Sequence, residues 1–394
     1  MEITIMQCRY DMLKDAIAGY NKTGMPLVSY SKGTLGSAGF GDDVGIYYFI
    51  PKIAHTFNLS LNQSINIFFI SMALISLVLG IIGSFLLFKT WWGRAIALIG
   101  MLALTLVSIS VGDVYIASAS IVLMVIPLFL YLVHSKKNLA SLAMFIFLAG
   151  TAVGVFHFIR SHAGTAVLIF ILFVVMFYMG TSWKNKLTLT ALLVAGVLVP
   201  SLYFNVLLDQ RDAYLVEKQP GYHKVTRQHP FWHSVYIGFG FLDNPYGIKY
   251  LDAVAADKVR SISPKTPYLS REYEAILKYE VFKLIRQHRR FVITTLFAKL
   301  GVIILYVLTF ANIGLLASIK YPKNFVEELA FWGAMGFSSL YGLLVIPNTC
   351  YLLGLVAFAT VYGIVSINHA IEQGAWQDIK AFSSRIGGRL KSVA

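Results

Sequence analysis

The chain reads as an all-α, polytopic transmembrane helix bundle of about nine spans, with two long extracytoplasmic segments that contain interfacial helices. Three features lead there: the composition, the length of the apolar stretches, and the side on which the cations collect. Of 394 residues, 57% are hydrophobic and only 13% are charged, with a mean hydropathy of +0.68. A water-soluble fold of this size needs more charge to cover its surface.

The apolar stretches fall at 65–88, 95–111, 115–133, 139–158, 165–181, 187–207, 291–317, 326–346 and 349–368. Each is close to the ~20 residues that carry a helix across hydrocarbon, where helical hydrogen bonding satisfies the backbone at least cost. The fifth is short and the seventh long. Domain organisation follows: an N-terminal segment 1–64, a six-span module 65–207, a large loop 208–290, three further spans 291–368 and a basic tail 369–394.

Orientation is set by Lys and Arg in short loops, because long loops translocate largely regardless of charge. One set of connections holds Lys89, Arg94, Lys136, Lys137, Lys184, Lys186, Lys320 and Lys323, and the tail adds Lys380, Arg385, Arg389 and Lys391. The opposite short loops hold only Arg160. The C-terminus is therefore expected in the cytoplasm of a bacterial inner membrane, with 1–64 and 208–290 outside. Trp91, Trp92 and Trp183 fall at the cytoplasmic edge, where interface aromatics collect. The net charge of +14 has no soluble basic face to sit on, so the partners expected are lipid headgroups and anionic substrates, not nucleic acid. Cys8 and Cys350 form neither a disulfide framework nor a metal pattern. Oligomeric state is not readable.

Segment 271–290 is strongly basic yet lies on the outer side. Its Tyr273, Ile276, Leu277, Val281, Leu284 and Ile285 form an apolar stripe at helical spacing beside Lys278, Lys283 and Arg286. The expected structure is an amphipathic helix lying in the membrane interface.

Polar residues gather in the outer connections. A glycine-rich stretch delivers Asp42 and Asp43 ahead of IYYFIPKIAHTF, expected as an interfacial helix with Tyr47, Tyr48 and Phe49 at headgroup depth. A carboxylate there could deprotonate a hydroxyl or orient a metal, or one Asp could simply cap the helix. Asp113 occupies a Gly-Asp turn, which by itself needs no further explanation, but it opens on the same face and could orient an acceptor or a metal. Arg160, with His157 and His162 nearby, suits a phosphate, since guanidinium forks match phosphate oxygens; lipid-headgroup contact is the plainer reading. In the large loop His229 and His233 are spaced to share a helix face if Pro230 opens the helix, a weak metal signal without a companion acid. Trp232, Tyr236 and their aromatic neighbours could pack on the membrane face or platform a sugar ring, and Asp243, Lys249 and Asp252 could face substrate or water. A divalent metal is left open as a cofactor. No Walker A loop, GxSxG or HExxH occurs.

This layout resembles the GT-C superfamily of membrane glycosyltransferases, whose members place an acidic motif in a long first outer segment, then six spans, then a second long outer loop. Here the DD of GDDVGIYYFIP precedes six spans, 208–290 follows them, and REYEAILKYEVFKLIRQHRRF resembles the juxtamembrane helix leading into the next span. The likeness covers most of residues 30–310. It implies a sugar donor on a polyprenyl-phosphate carrier and transfer on the outer face to a lipid, glycan or protein. By position, Asp42 or Asp43 would be the general base, Asp113 the second-loop acid, and Arg160 with His162 the donor-phosphate site. Members begin with a transmembrane helix ahead of the first outer loop. No such apolar run stands before residue 41, so that helix is expected to be missing and the chain to be inactive if the helix supports the donor site. The competing class, a transporter or flippase of lipid-linked saccharides, calls for ionisable residues at mid-membrane depth. The spans hold almost none, Lys299 being the main exception.

Overall fold

The computed structural model describes residues 3–39, 43–135, 138–222, 230–375 and 377. Each of the nine apolar stretches is helical. A polar helix α1 (Gln7–Thr23) comes first, then a hairpin of β1 (Val28–Ser31) and β2 (Thr34–Ser37), then α2 (Val44–Phe57). The hairpin is antiparallel, with Val28 opposite Ser37 and Ser31 opposite Thr34. Six apolar helices follow: α3 (Leu61–Leu87), α4 (Trp91–Val111), α5 (Ile116–His134), α6 (Leu139–Ile159), α7 (Thr165–Phe173) and α8 (Trp183–Lys218). The large loop folds as α9 (Phe231–Gly238), α10 (Asp252–Ile262) and α11 (Arg271–Gln287), and the chain returns through α12 (Arg289–Lys320), α13 (Phe325–Leu344) and α14 (Thr349–Glu372).

Among the described residues, seven segments are long and apolar enough to cross a membrane, and the protein is an integral membrane protein. The two remaining apolar helices depart for visible reasons. α7 is short and ends in a π-turn, Val174–Tyr178, where Lys186 Nζ donates to the Met176 carbonyl at 2.7 Å. α13 opens on Glu327 and Glu328. Close helix approach is set by glycine: Gly83 faces the backbone of Leu128, Gly150 and Gly196 bring α6 against α8, and Gly314 meets Gly363 between α12 and α14. α14 is the central helix, with 72% of its apolar window buried, whereas 22% of α12's window is.

The connections sort to the two ends of the bundle. At one end Thr90 meets Asn368, His134 meets Glu327, and Lys323 meets Ser366 and Glu328. At the other, the first segment meets the turn at 111–115 and the end of α6 at Phe158 and Ile159.

Three expectations change here. Residues 7–23, in the stretch with no apolar run, form a helix that buries Arg9, Leu13, Ala16 and Gly19 against protein. On α2, Tyr47 and Tyr48 are buried in protein: Tyr47 lies against Met12 of α1, and Tyr48 packs on Phe204 of α8 and is hydrogen-bonded to Tyr203. On α11, the Tyr273, Leu277, Val281 and Leu284 stripe faces protein, because α9 and the start of α12 supply an apolar partner. Periodicity shows that a face is covered but not what covers it.

Candidate functional site

Two carboxylates from separate connections meet on one arginine. Asp43 stands immediately before α2 at the N-cap position, yet its side chain caps no backbone N–H. Instead Arg9 Nε donates to Asp43 Oδ2 at 2.5 Å, and Arg9 Nη1 donates to Asp113 Oδ2 at 2.8 Å. Asp43 is 1% exposed, Asp113 4% and Arg9 8%. Burial would discharge Arg9, but the two carboxylates outweigh it and its pKa moves up from the ordinary value. Beside them Tyr47 is held well above the usual phenol range, by burial first and then by the Asp43 charge.

The backbone around Asp113 is shaped for this contact. Gly112 and Asp113 both have positive φ, 71° and 55°, a conformation that glycine adopts freely and aspartate tolerates. A β-carbon at Gly112 would stand 2.5 Å from the Thr4 carbonyl oxygen, so the glycine lets the N-terminal segment cross the turn. Asp113 then accepts from its neighbour Val114 N at 2.7 Å and from Met6 N at 3.3 Å, while Ile3 N donates to Asn66 Oδ1. Asp113 is thus both the turn residue and an ion-pair partner.

Arg160 arrives from a third connection, at the C-terminus of α6. Its guanidinium lies 5.0 Å from the ring centre of Tyr115, two residues past Asp113. Tyr115 in turn packs edge-on against Tyr351, whose hydroxyl accepts from Tyr250 at 2.9 Å. His162 has positive φ (67°), takes a backbone position from which its N–H donates to His157 Nδ1, and rests 5.8 Å from the Tyr341 ring. Burial, then the Arg160 charge, holds His162 below the ordinary histidine range, so it is neutral at pH 7.

The large-loop candidates sit in a different setting. His233 is buried, with Nδ1 on the Tyr273 hydroxyl at 2.8 Å and Nε2 on Asp252 at 3.1 Å. That hydrogen bond to His233 draws the Asp252 pKa down. Glu274 accepts from the backbone N–H of Trp232 and His233, capping α9. Tyr236 is buried, and its hydroxyl pKa is pushed up to about 12 by burial and by Glu280. Asp243 is exposed. His233, Tyr236 and Tyr273 are part of the loop's own core, and Tyr250 reaches Tyr351 of the Tyr115–Tyr351 pair. Pro230 stands just ahead of α9 rather than inside its first turn. Asp42 and His229 lie outside the described residues. Among the described residues no three His, Cys, Asp or Glu side chains gather as a metal site. The space between Asp43 and Asp113 holds a guanidinium, so this carboxylate pair does not suit a divalent cation.

Sequence reasoning missed Arg9. One signal was present: Arg9, Leu13 and Ala16 fall at i, i+4 and i+7, which places the arginine on the apolar face of its helix. Tyr115, Tyr250 and Tyr351 carried no comparable signal.

The arrangement defines a class: a polytopic helix bundle with acidic and cationic side chains gathered at one end. No family model matches the chain, and no curated protein matches it. Among solved structures it is similar to the apo crystal structure of ArnT from Cupriavidus metallidurans, at 14% identity over 94% of this chain and 72% of that one, with a TM-score of 0.41. A likeness of that grade says nothing about activity.

Proposed function

We propose that the protein is a GT-C-like glycosyltransferase that moves a sugar from a polyprenyl-phosphate carrier to a lipid, glycan or protein hydroxyl at the outer membrane face. The observation that supports this most is the meeting of three connections at one end of the bundle: Asp43 and Asp113 share Arg9, and Arg160 stacks on Tyr115 beside them. The reaction is a single displacement with inversion. The acceptor oxygen bonds to the anomeric carbon as the bond from that carbon to the phosphate oxygen breaks. The acceptor proton passes to a carboxylate, and the leaving phosphate carries the negative charge that Arg160 neutralises.

Asp43 is engaged in holding Arg9 and is less available to take a proton, so the base role is assigned to Asp42, with Asp43 and Asp113 as positioning residues. His162, neutral beside Arg160, is a hydrogen-bond donor toward the same phosphate. The large loop contributes Tyr250, which reaches the site through Tyr351, while Trp232, His233, Tyr236 and Asp243 belong to the loop itself. The transporter reading is weaker: Lys299, the mid-span cation, donates to the carbonyls of Leu343 and Val345 at 3.2 and 2.8 Å, which is a helix-end contact.

The test is sugar transfer by the full chain in membranes supplied with polyprenyl-phosphate sugars, read as released polyprenyl phosphate. Asp42→Asn should abolish release while donor binding persists. Arg160→Gln should weaken donor binding, with partial recovery in Arg160→Lys. Wild-type transfer by Asp42→Asn would reject the base, and absence of transfer by the native chain with every donor tried would reject the activity.

A further inference from the structure

Helix α11 has two apolar faces: one lies in the loop core, and on the other Phe282 packs on Trp232 while Tyr279 stays largely exposed. Its inner face, Tyr273, Leu277, Val281 and Leu284, is buried in the loop core. At ~100° per residue, Tyr279, Phe282 and Arg286 project from the opposite side, with Lys278 and Lys283 flanking them left and right. Tyr279 is 67% exposed, Phe282 42% and Ile285 39%. Ala275, Lys278, Tyr279, Phe282, Lys283, Arg286 and Gln287 line a shallow furrow of about 360 Å³.

The charge of that furrow is one-sided. Its lining contains three cations and no carboxylate. The nearby acid, Glu280, points to the buried side and pairs with Lys258 at 3.0 Å, leaving Lys283 at 4.0 Å. Lys278 lies over the Trp232 ring at 5.7 Å, an arrangement that orients the ammonium without neutralising it. Position adds a second argument. His288 alone separates α11 from α12, which spans the membrane, and the exposed Arg289 and Arg290 follow at once. Phe282 is therefore within roughly 10 Å of helix length from the first spanning turn.

We propose that this outer face of α11 is a docking surface for anionic phospholipid headgroups of the adjoining leaflet. Tyr279, Phe282 and Ile285 enter the acyl boundary, and Lys278, Lys283 and Arg286 ring the phosphodiesters above them. The proposal is independent of the glycosyl-transfer reading. It also accounts for a basic segment on the side that the short loops leave poor in cations: these charges face lipid phosphate and do not set topology.

Full-length protein in nanodiscs, treated with a water-soluble acetylating reagent and read by mass spectrometry at each lysine, tests this. Replacing about 40% of phosphatidylcholine by phosphatidylglycerol should slow acetylation of Lys278 and Lys283 by roughly threefold or more, while exposed Lys249 keeps its rate, and high salt should reverse the effect. The double variant Tyr279→Ser/Phe282→Ser leaves the buried loop core intact, giving up within the protein the Phe282–Trp232 contact, and should lose the protection. Equal rates in the two lipid compositions would overturn the proposal. So would equal protection by inorganic phosphate in phosphatidylcholine discs, which would assign the furrow to a soluble anion, or full protection in the double variant.

Discussion

The two long polar segments are held together by opposite means. In the first, residues 3–57, two buried aspartates from distant points in the chain are tied through one arginine, and backbone contacts at Thr4 and Met6 follow that tie. In the large loop, α9, α10 and α11 close on Val235, Tyr236, Ile237, Val259, Tyr273, Leu277 and Val281, with ion pairs kept to the edge. An ionic tie of this kind concentrates stability in one residue, because removing a partner strands buried charge. An apolar core distributes it, and each truncation costs only the volume it empties.

The largest expected effect breaks the first arrangement. Arg9→Met removes the cation that buried Asp43 and Asp113 share and should destabilise the protein by about 3–5 kcal/mol, read as thermal unfolding in detergent. Adding Asp43→Asn and Asp113→Asn should recover part of the loss. If the triple variant is no more stable than Arg9→Met, stranded charge is not the cause. In the second segment, Leu277→Ala should cost about 2–4 kcal/mol and expose 231–287 to proteolysis while the spans stay folded. Loss of the whole bundle would mean that the loop core is not separable.

Smaller changes sharpen the same contrast. Lys299→Met removes two charge-assisted hydrogen bonds to the carbonyls ending α13, where Gly238 of α9 packs, and should cost about 2 kcal/mol with faster proteolysis of the loop. The smallest effect is that of pH on the loop edge. The folded Asp252 has a pKa below its ordinary 3.8, so the contact with His233 is fully present above that value and is lost as pH falls through the lower, folded one. Asp252 is largely exposed, and after solvent screening the change is no more than about 0.5 kcal/mol. Asp252→Asn should flatten the acid limb of loop stability; an unchanged limb would assign it to other carboxylates.

The spans were legible because a run of about twenty apolar residues has one economical structure in lipid. Even so, α8 continues to Lys218, past the apolar limit at 207, since a helix does not stop where hydrophobicity does. Asp43 and Asp113 were legible as polar residues in outer connections, but their partner was not: the Arg9–Asp113 bond joins residues 104 positions apart, and no local pattern encodes such a distance. Of the stripe read on α11, Tyr273, Leu277, Val281 and Leu284 are covered by protein, whereas Ile285 is exposed. The second apolar side of α11, Tyr279 and Phe282, is broken by Lys278 and Lys283 and does not stand out as a stripe.

The unusual length of α8 has a mechanical consequence. Thirty-six residues make a rod of ~54 Å, well beyond the ~30 Å of hydrocarbon, and near its upper end Asp212 accepts from Tyr222 while Gln219 just past it takes the N–H of Leu35 in the hairpin. The first segment is thus moored to a mast that passes through the bilayer. Because the hairpin is held by protein at Leu35–Gln219, a change of membrane thickness is expected to leave that mooring in place.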